Sequence, residues 1–153
     1  MTSTSTSAPF KPSAACCTTP AIIGPPYTPQ GSFQSISGTN TYIVGPPTAT
    51  KALFIIYDVF GFSSQILSGA DKLAAEHYLV FMPGFFGEEP APLEWMPLEG
   101  PEDMGKLDEF TAGPGETGRT VKRIEELRGE FQQMSPQIER WGLVGYCWGG
   151  YVS

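Results

Sequence analysis

One cysteine of this chain is bracketed by glycines in the way that a catalytic nucleophile requires. The segment GYCWGG at 145–150 places Cys147 two residues from a glycine on each side, Gly145 and Gly149. An apolar stretch, WGLVGY at 141–146, leads into it and predicts a short strand. Larger side chains two residues before or after a nucleophile on a strand-to-helix turn would collide with neighbouring backbone. The pattern therefore predicts a nucleophile elbow with Cys147 at its tip.

Such a position would also activate the thiol. A helix beginning after Cys147 would direct backbone N–H groups and its positive end at the sulfur, which lowers the pKa of a thiol. The amide of Trp148 would be one donor of an oxyanion hole, and Gly150 would leave the turn further room. The alternative is an inert cysteine in a glycine-rich turn, since cysteines outside active sites are commonly core residues.

The upstream segments predict the scaffold that holds this turn. NTYIVGPP at 40–47 alternates in the period of a strand and predicts an outer, antiparallel strand. ALFIIYD at 52–58 and YLVFM at 78–82 are continuous apolar runs, which is typical of parallel strands covered on both faces. Ser63 or Ser64 can cap a helix. Apolar residues at helical spacing are Ile66, Leu67, Ala70, Leu73 and Ala74, and then Val121, Ile124, Leu127, Phe131 and Met134.

The order strand, helix, strand, long loop, helix, strand predicts an α/β fold. Alternation of this kind gives a mostly parallel sheet with helices on both faces. Residues 1–32, rich in Ser, Thr, Pro and Gly, are predicted to be a leader and extended coil, and 33–153 to be the α/β domain. Residues 83–116 are predicted to be a long loop, and a loop of that length is often functional.

Two groups of side chains in this long loop could carry chemistry. Acidic pairs there could act as metal ligands or acid–base groups, but scattered carboxylates among Gly and Pro are expected to be solvated. A set of large apolar side chains could either line a substrate pocket or anchor the loop to the body. We predict no metal site and no cofactor. The acids are Glu88, Glu89, Glu102 and Asp103, and the apolar residues are Phe85, Phe86, Trp95 and Met96.

The composition narrows the class of partner. A net charge of −7 without any basic run argues against nucleic acid and against anionic membrane surfaces. No apolar run approaches the roughly 20 residues that span a bilayer, and the N-terminus lacks the apolar segment of a secretory signal. Three cysteines, an odd number, suit a reducing compartment, so we expect a cytoplasmic protein. The adjacent Cys16 and Cys17 lack the spacing of a zinc site and are expected to pack in the N-terminal coil.

Several segments resemble the dienelactone hydrolases, a family of α/β-hydrolases with a Cys–His–Asp triad. GYCWGG at 145–150 resembles their cysteine elbow. IIYDVFGF at 55–62 is similar to their strand followed by an acidic residue, an apolar residue, Phe and Gly. SGADKLAAEHYLVFMPGFF at 68–86 resembles the next helix and strand, and the early CC followed by YTPQG resembles the fungal branch. The resemblance covers nearly all of residues 16–153 and implies hydrolysis of ester or lactone bonds.

This resemblance assigns roles to individual residues. It makes Cys147 the nucleophile. It makes the backbone N–H of Val59 the second oxyanion donor, beside that of Trp148. Asp58 matches a family glutamate that contacts the resting nucleophile, although its side chain is one methylene shorter.

Some features of the family pattern are missing from the 153 residues. The family has Pro-Asp where this chain has Pro83-Gly84, and the loop that follows has no arginine to hold a substrate carboxylate. Preference for an anionic lactone therefore does not carry over. The Asp and His of the family's triad lie after the cysteine and are absent here. The only histidine, His77, ends the first predicted helix, where the family has nothing catalytic. The chain is expected to be the N-terminal portion of an α/β-hydrolase, ending just past its elbow.

Two functions of different classes remain open. In the first, the protein hydrolyses a small-molecule ester or lactone through Cys147, and the 153 residues alone lack turnover. In the second, the chain is a non-catalytic fragment or interaction module. The strand at 141–145 would lie at an exposed edge of the sheet, so we expect the isolated chain to be poorly folded or to self-associate through that edge.

Overall fold

The computed structural model describes Pro20 and residues 24–153. Cys16, Cys17 and the leader before Pro20 lie outside the described residues. Nine regular elements and one 3₁₀ turn follow one another within the described part of the chain. They are β1 Ser32–Ile36, β2 Thr39–Val44, β3 Lys51–Ile56, α1 Ser64–Ala75, β4 Leu79–Pro83, the 3₁₀ turn Leu93–Trp95, α2 Pro101–Ala112, α3 Thr117–Met134, β5 Arg140–Gly145 and α4 Trp148–Val152.

These strands form one mixed sheet in the order β1-β2-β4-β3-β5. β4, β3 and β5 run parallel to one another, whereas β1 pairs with β2 and β2 pairs with β4 in antiparallel register. The continuous apolar runs predicted as parallel strands are β3 and β4, and all five residues of β4 are buried. The α/β architecture predicted from the order of elements is confirmed.

Helices cover both faces of the sheet. Neighbouring residues of a strand point to opposite faces of the sheet, so Tyr42 points to one helical layer and Ile43, which pairs with Phe81, points to the other. Tyr42 donates a 2.5 Å hydrogen bond to Asp71 of α1 on one face. On the other face, the ring of Phe81 in β4 stacks on Phe131 of α3, with centroids 4.5 Å apart. Ser63 caps α1, because its side chain accepts a hydrogen bond from the backbone amide of Ile66.

The segment before β1 is fastened to α1 through one buried carboxylate. Asp71 accepts hydrogen bonds from the Tyr27 hydroxyl at 2.7 Å and from the Gln30 amide at 2.9 Å, in addition to that of Tyr42. Burial and the hydrogen bond to Asp71 raise the pKa of Tyr42 to about 12. These hydrogen bonds hold the chain around Tyr27 and Gln30 against α1. The predicted boundary at residue 33 stays a prediction.

Two predictions about individual elements were wrong. The strand at 40–47 is not an outer strand, because β1 pairs along its free side and takes the edge position. The segment 83–116 is not structureless, since it contains the 3₁₀ turn and α2. Proline at the first helical position and two acidic residues in the first turn start α2, and Leu107 and Phe110 then bury one side of it.

The apolar stripe of α3 is buried only in its middle. Leu127 and Phe131 are fully buried, whereas Val121 is 38% exposed and Met134 is 48% exposed. At 18 residues the helix is about 27 Å long, and the strands beneath it span about 20 Å, so its ends extend past the sheet. Within the described residues, no helix combines the length and apolar character that a membrane span needs.

Candidate active site

Cys147 occupies a sharp turn between β5 and α4. Its φ of 53° lies in the left-handed region, and its side chain is exposed. The Gly149 amide donates to the Tyr146 carbonyl at 2.8 Å, and the Gly150 amide donates to the Cys147 carbonyl at 3.0 Å. The chain thus reverses from strand to helix within two residues. This is the backbone geometry expected of a nucleophile elbow.

Two of the three predicted elbow glycines are required by close backbone packing. A Cβ on Gly145 would lie 2.6 Å from the Cα of Gly150, and a Cβ on Gly149 would lie 2.6 Å from the carbonyl oxygen of Tyr57. Gly150 is different, because its nearest neighbour would be the Gly145 carbonyl oxygen at an ordinary 3.4 Å. The tight approach of Gly149 also shows that α4 begins directly against the end of β3.

The loop after β3 runs beside the elbow. Ile56 pairs with Gly145, and the Tyr146 amide continues the ladder with a 3.0 Å hydrogen bond to the Ile56 carbonyl. Ile56 and Gly145 are the last paired residues of the parallel strands β3 and β5, and Asp58 and Cys147 each follow them by two positions. The structure therefore brings the two predicted site segments, 58–59 and 147–148, to the same end of the sheet.

The Asp58 carboxylate shapes the loop that carries Val59. Its Oδ1 accepts a 2.8 Å hydrogen bond from the Phe60 amide, and the Asp58 carbonyl accepts from the Gly61 amide at 3.3 Å. Burial raises the pKa of the Asp58 carboxyl. The Val59 carbonyl accepts a 2.9 Å hydrogen bond from the Ala91 amide. Both the C=O and the N–H of the peptide bond between Val59 and Phe60 are therefore hydrogen-bonded. A contact between Asp58 and the nucleophile stays a prediction.

Trp148 anchors the elbow to the rest of the domain. Its indole is fully buried, and its Nε1 donates a 2.9 Å hydrogen bond to the Gly115 carbonyl. Its ring lies 4.7 Å from that of Phe86, which in turn lies 4.9 Å from that of Phe110. Neither Gly115 nor Phe110 was predicted from the sequence. Gly115 lies in a GPGE stretch that indicates only a turn, and its partner is 33 residues away.

Ring contacts with the core show whether the apolar side chains of residues 84–100 anchor this segment or line a pocket. Phe86 is buried between Tyr57, Phe110 and Trp148, so it anchors the segment to the body. Phe85 is partly buried, 5.9 Å from the ring of Tyr57. Trp95 packs edge-on against Phe110 at 6.3 Å. Anchoring is the better-supported of the two roles that the sequence left open; Met96 is partly buried on the same core.

His77 lies at the other end of the sheet from Cys147. It precedes β4, whose Leu79 pairs with Ala52, whereas the elbow follows the pairing of Gly145 with Ile56. From Ala52 to Ile56 along β3 the separation is roughly 13 Å, at about 3.3 Å per residue. His77 is exposed with a φ of 66°, and it terminates α1 through a 3.0 Å bond to the Ala74 carbonyl. Its geometry is that of a helix end.

The acidic residues of the segment have ordinary structural surroundings. Glu88, Glu89 and Glu102 are exposed, as expected. Asp103 accepts hydrogen bonds from Lys106 at 3.0 Å and from the Glu99 amide, and the Lys106 bond lowers the pKa of the Asp103 carboxyl. Over Pro20 and residues 24–153, no group of three His, Cys, Asp or Glu side chains is placed to hold a metal ion.

The matches to known proteins agree with this geometry. The model of the dienelactone hydrolase family matches residues 39–153, a range that includes both predicted site segments, 58–59 and 147–148. The chain belongs to the dienelactone hydrolase family. It is 33% identical over 91% of its length to an uncharacterized AIM2 family protein of Schizosaccharomyces pombe. It is 27% identical over 82% of its length to a carboxymethylenebutenolidase homolog of Rattus norvegicus.

A solved structure supports the fold of this family member. A crystal structure of a protein named as a dienelactone hydrolase, from Klebsiella pneumoniae subsp. pneumoniae, superposes with a TM-score of 0.56 at 19% identity. The match covers 78% of this chain and 50% of that one. This chain also spans 57% of the yeast relative and 49% of the rat relative, so it corresponds to about half of their length.

Proposed function

We propose that this member of the dienelactone hydrolase family carries the nucleophile and the oxyanion-binding amides of an ester or lactone hydrolase. The observation that carries the proposal is the elbow. An exposed cysteine stands at a left-handed φ between a parallel strand and a helix, against the loop that follows the neighbouring strand. A small-molecule ester or lactone is the substrate class, and a cytoplasmic location is supported by the odd number of cysteines.

The chemistry assigned to these residues is acyl transfer. The Cys147 thiolate attacks the carbonyl carbon, and the amides of Val59 and Trp148 stabilise the negative charge that develops on the carbonyl oxygen. The carbon–oxygen bond to the leaving alcohol breaks and leaves a thioester on Cys147. Water then hydrolyses the thioester and regenerates the thiol. Asp58 contributes by holding the loop of Val59 through its bond to the Phe60 amide.

No histidine of these 153 residues is placed to act as the base for the thiol. His77 is the chain's single histidine, and it lies at the far end of the sheet. Without a base, attack on an ordinary ester and hydrolysis of the thioester are both slow, since removing triad members leaves only residual catalysis. We therefore propose that the 153-residue chain acylates itself once and does not turn over.

A second candidate function is a non-catalytic interaction module. The observation that favours it is β5, which is the last strand of the sheet and carries Leu143 at 49% exposure. An exposed, apolar edge strand is a template for pairing with another chain.

A turnover assay separates the two. With p-nitrophenyl acetate, whose leaving group needs no proton, we expect product release to stop near one equivalent per chain. Cys147→Ser should remove that equivalent. Sustained turnover that disappears in Cys147→Ser would contradict the absence of an internal base, whereas no Cys147-dependent product would favour the interaction module.

A further inference from the structure

A pocket of about 340 Å³ lies beside the first half of α3. Thr39 at the start of β2 and Gly84 and Phe85 at the end of β4 line it on one side. Arg119, Lys122, Arg123 and Glu126 of α3 line it on the other. Its size is within the range of small-molecule sites, roughly 300–1,000 Å³. The proposed acyl-transfer chemistry uses none of these side chains.

The pocket concentrates positive charge in an acidic protein. The chain has a net charge of −7 and nine Lys and Arg residues in all, and three of the nine line this one pocket. Three positive charges and the one negative charge of Glu126 leave a local excess of two positive charges. A ligand with two negative charges would neutralise that excess, whereas a ligand with one would leave half of it.

The two arginines are held in place by backbone and hydroxyl groups. Arg123 donates from Nη2 to the Ser37 carbonyl at 2.6 Å and to the Thr39 hydroxyl at 2.7 Å, from Nε to the same hydroxyl at 3.1 Å, and from Nη1 to Glu126 at 3.0 Å. Arg123 therefore contributes positive charge to the pocket rather than free hydrogen-bond donors. Arg119 donates from Nη2 to the Gly113 carbonyl, so its Nε and Nη1 groups remain for a ligand. The Lys122 ammonium has no hydrogen bond or ion pair to any other described residue and is exposed.

We propose that this pocket binds a small phosphate monoester. A phosphate monoester carries close to two negative charges at neutral pH, which matches the charge excess, and its three acceptor oxygens can take the donors that Arg119 and Lys122 leave unused. The site is separate from the elbow, although the Phe85 ring lies 6.2 Å from that of Trp148. The proposal therefore does not depend on the role of Cys147.

Calorimetric titration with phenyl phosphate and phenyl sulfate at pH 8 and low ionic strength tests the proposal. The two probes have similar shape, but the phosphate carries two charges at this pH and the sulfate carries one. We expect saturable one-to-one binding of phenyl phosphate, at least about tenfold tighter than that of phenyl sulfate. The pocket lies beside β2 and β4, away from the edge strand β5, so association of chains through β5 leaves it open.

Two variants move the affinity in opposite directions. Lys122→Gln should weaken phenyl phosphate binding about fivefold, and Glu126→Gln should tighten it by a similar factor, which a loss of folding cannot imitate. Lys72→Gln, on α1, removes an exposed charge elsewhere and should leave the affinity unchanged, as should Cys147→Ser. Equal binding of the two probes, the absence of saturable binding, or affinities that do not respond at residues 122 and 126 would each overturn the proposal.

Discussion

Cys147 occupies a backbone conformation that glycine usually takes. Its φ of 53° with a ψ of −114° is sparsely populated by residues with a side chain, and such conformations cost on the order of 1–3 kcal/mol. The turn persists because the ladder between β3 and β5 fixes one side of it and the buried Trp148 indole fixes the other. The consequence is that the sulfur is presented at the surface in one defined place.

At neutral pH, we predict that limiting iodoacetamide alkylates Cys147 before Cys16 and Cys17. The reason is that Cys147 is exposed at the turn where α4 begins. Peptide mapping by mass spectrometry at early times gives the order, and Cys147→Ser provides the background labelling of the other two thiols. Faster labelling of Cys16 or Cys17 would contradict the elbow.

The buried carboxyl of Asp58 makes a prediction about pH. Because burial raises its pKa in the folded state, the stability that Asp58 provides is complete below its unfolded pKa near 3.9. It is lost as the pH rises through the folded pKa. Asp58→Asn keeps an acceptor for the Phe60 amide and cannot ionise. We therefore expect a higher melting temperature than the parent at pH 7, and a difference that disappears toward pH 3.

Asp103→Asn is the matched control with the opposite sign. Lys106 lowers the pKa of Asp103, so that carboxylate contributes stability above its unfolded pKa and loses it as the pH falls. Its substitution should not raise the melting temperature at pH 7. If Asp58→Asn instead lowers the melting temperature at pH 7, the ionised carboxylate has a stabilising partner, such as the nucleophile contact expected from the family.

At the scale of elements, the strands and turns that the sequence predicted correctly are those that a short run of neighbouring residues determines. Continuous apolar runs predicted β3 and β4, and the glycines on either side of Cys147 predicted the tight turn between β5 and α4. The catalytic role of that turn stays a prediction. α2 was missed because its apolar residues are few and Gly105 interrupts it, so its burial against Phe86 decides its formation. The proximity of Asp58 to the elbow followed from family resemblance alone, since 89 residues separate it from Cys147. No local pattern encodes such a distant pairing.

The elbow glycines allow a matched pair of substitutions. Gly149→Ala would place a methyl group against the Ile56 and Tyr57 carbonyls, so we expect a loss of about 2 kcal/mol or more in the free energy of unfolding. Gly150→Ala has ordinary contact distances and should be neutral or slightly stabilising, because alanine favours helix. Urea denaturation of both variants gives the comparison. Equal effects of the two would show that α4 does not start against β3.

At the scale of the whole molecule, we expect the outer side of β5 to decide whether the chain self-associates. Within Pro20 and residues 24–153, β5 forms a ladder with β3 alone, and its Leu143 is about half exposed. The expectation that the isolated chain is poorly folded or associates through this edge stays a prediction. We predict that the purified chain elutes from a sizing column as dimers or larger species.

Introducing a charged side chain on β5 tests the predicted self-association. Leu143→Lys should shift the chain toward the monomer, because a lysine on an edge strand opposes pairing with a second copy. Leu93→Lys changes a leucine of similar exposure on the 3₁₀ turn and should have no effect. A parent chain that is monomeric at all concentrations, with a sharp thermal transition, would show that the 153 residues form a self-sufficient domain.

The most direct test of the account is the covalent state of Cys147 after exposure to an activated ester. After a brief incubation with p-nitrophenyl acetate and an acid quench, intact-mass and peptide mass spectrometry should find one acetyl group per chain, on Cys147. Asp58→Asn should still be acetylated, since it preserves the loop, whereas Cys147→Ser should carry no acetyl group at position 147. Acetylation confined to Cys147 would establish it as the nucleophile. An unmodified Cys147 beside acetylated lysines, or equal modification of Cys16 and Cys17, would contradict the assignment.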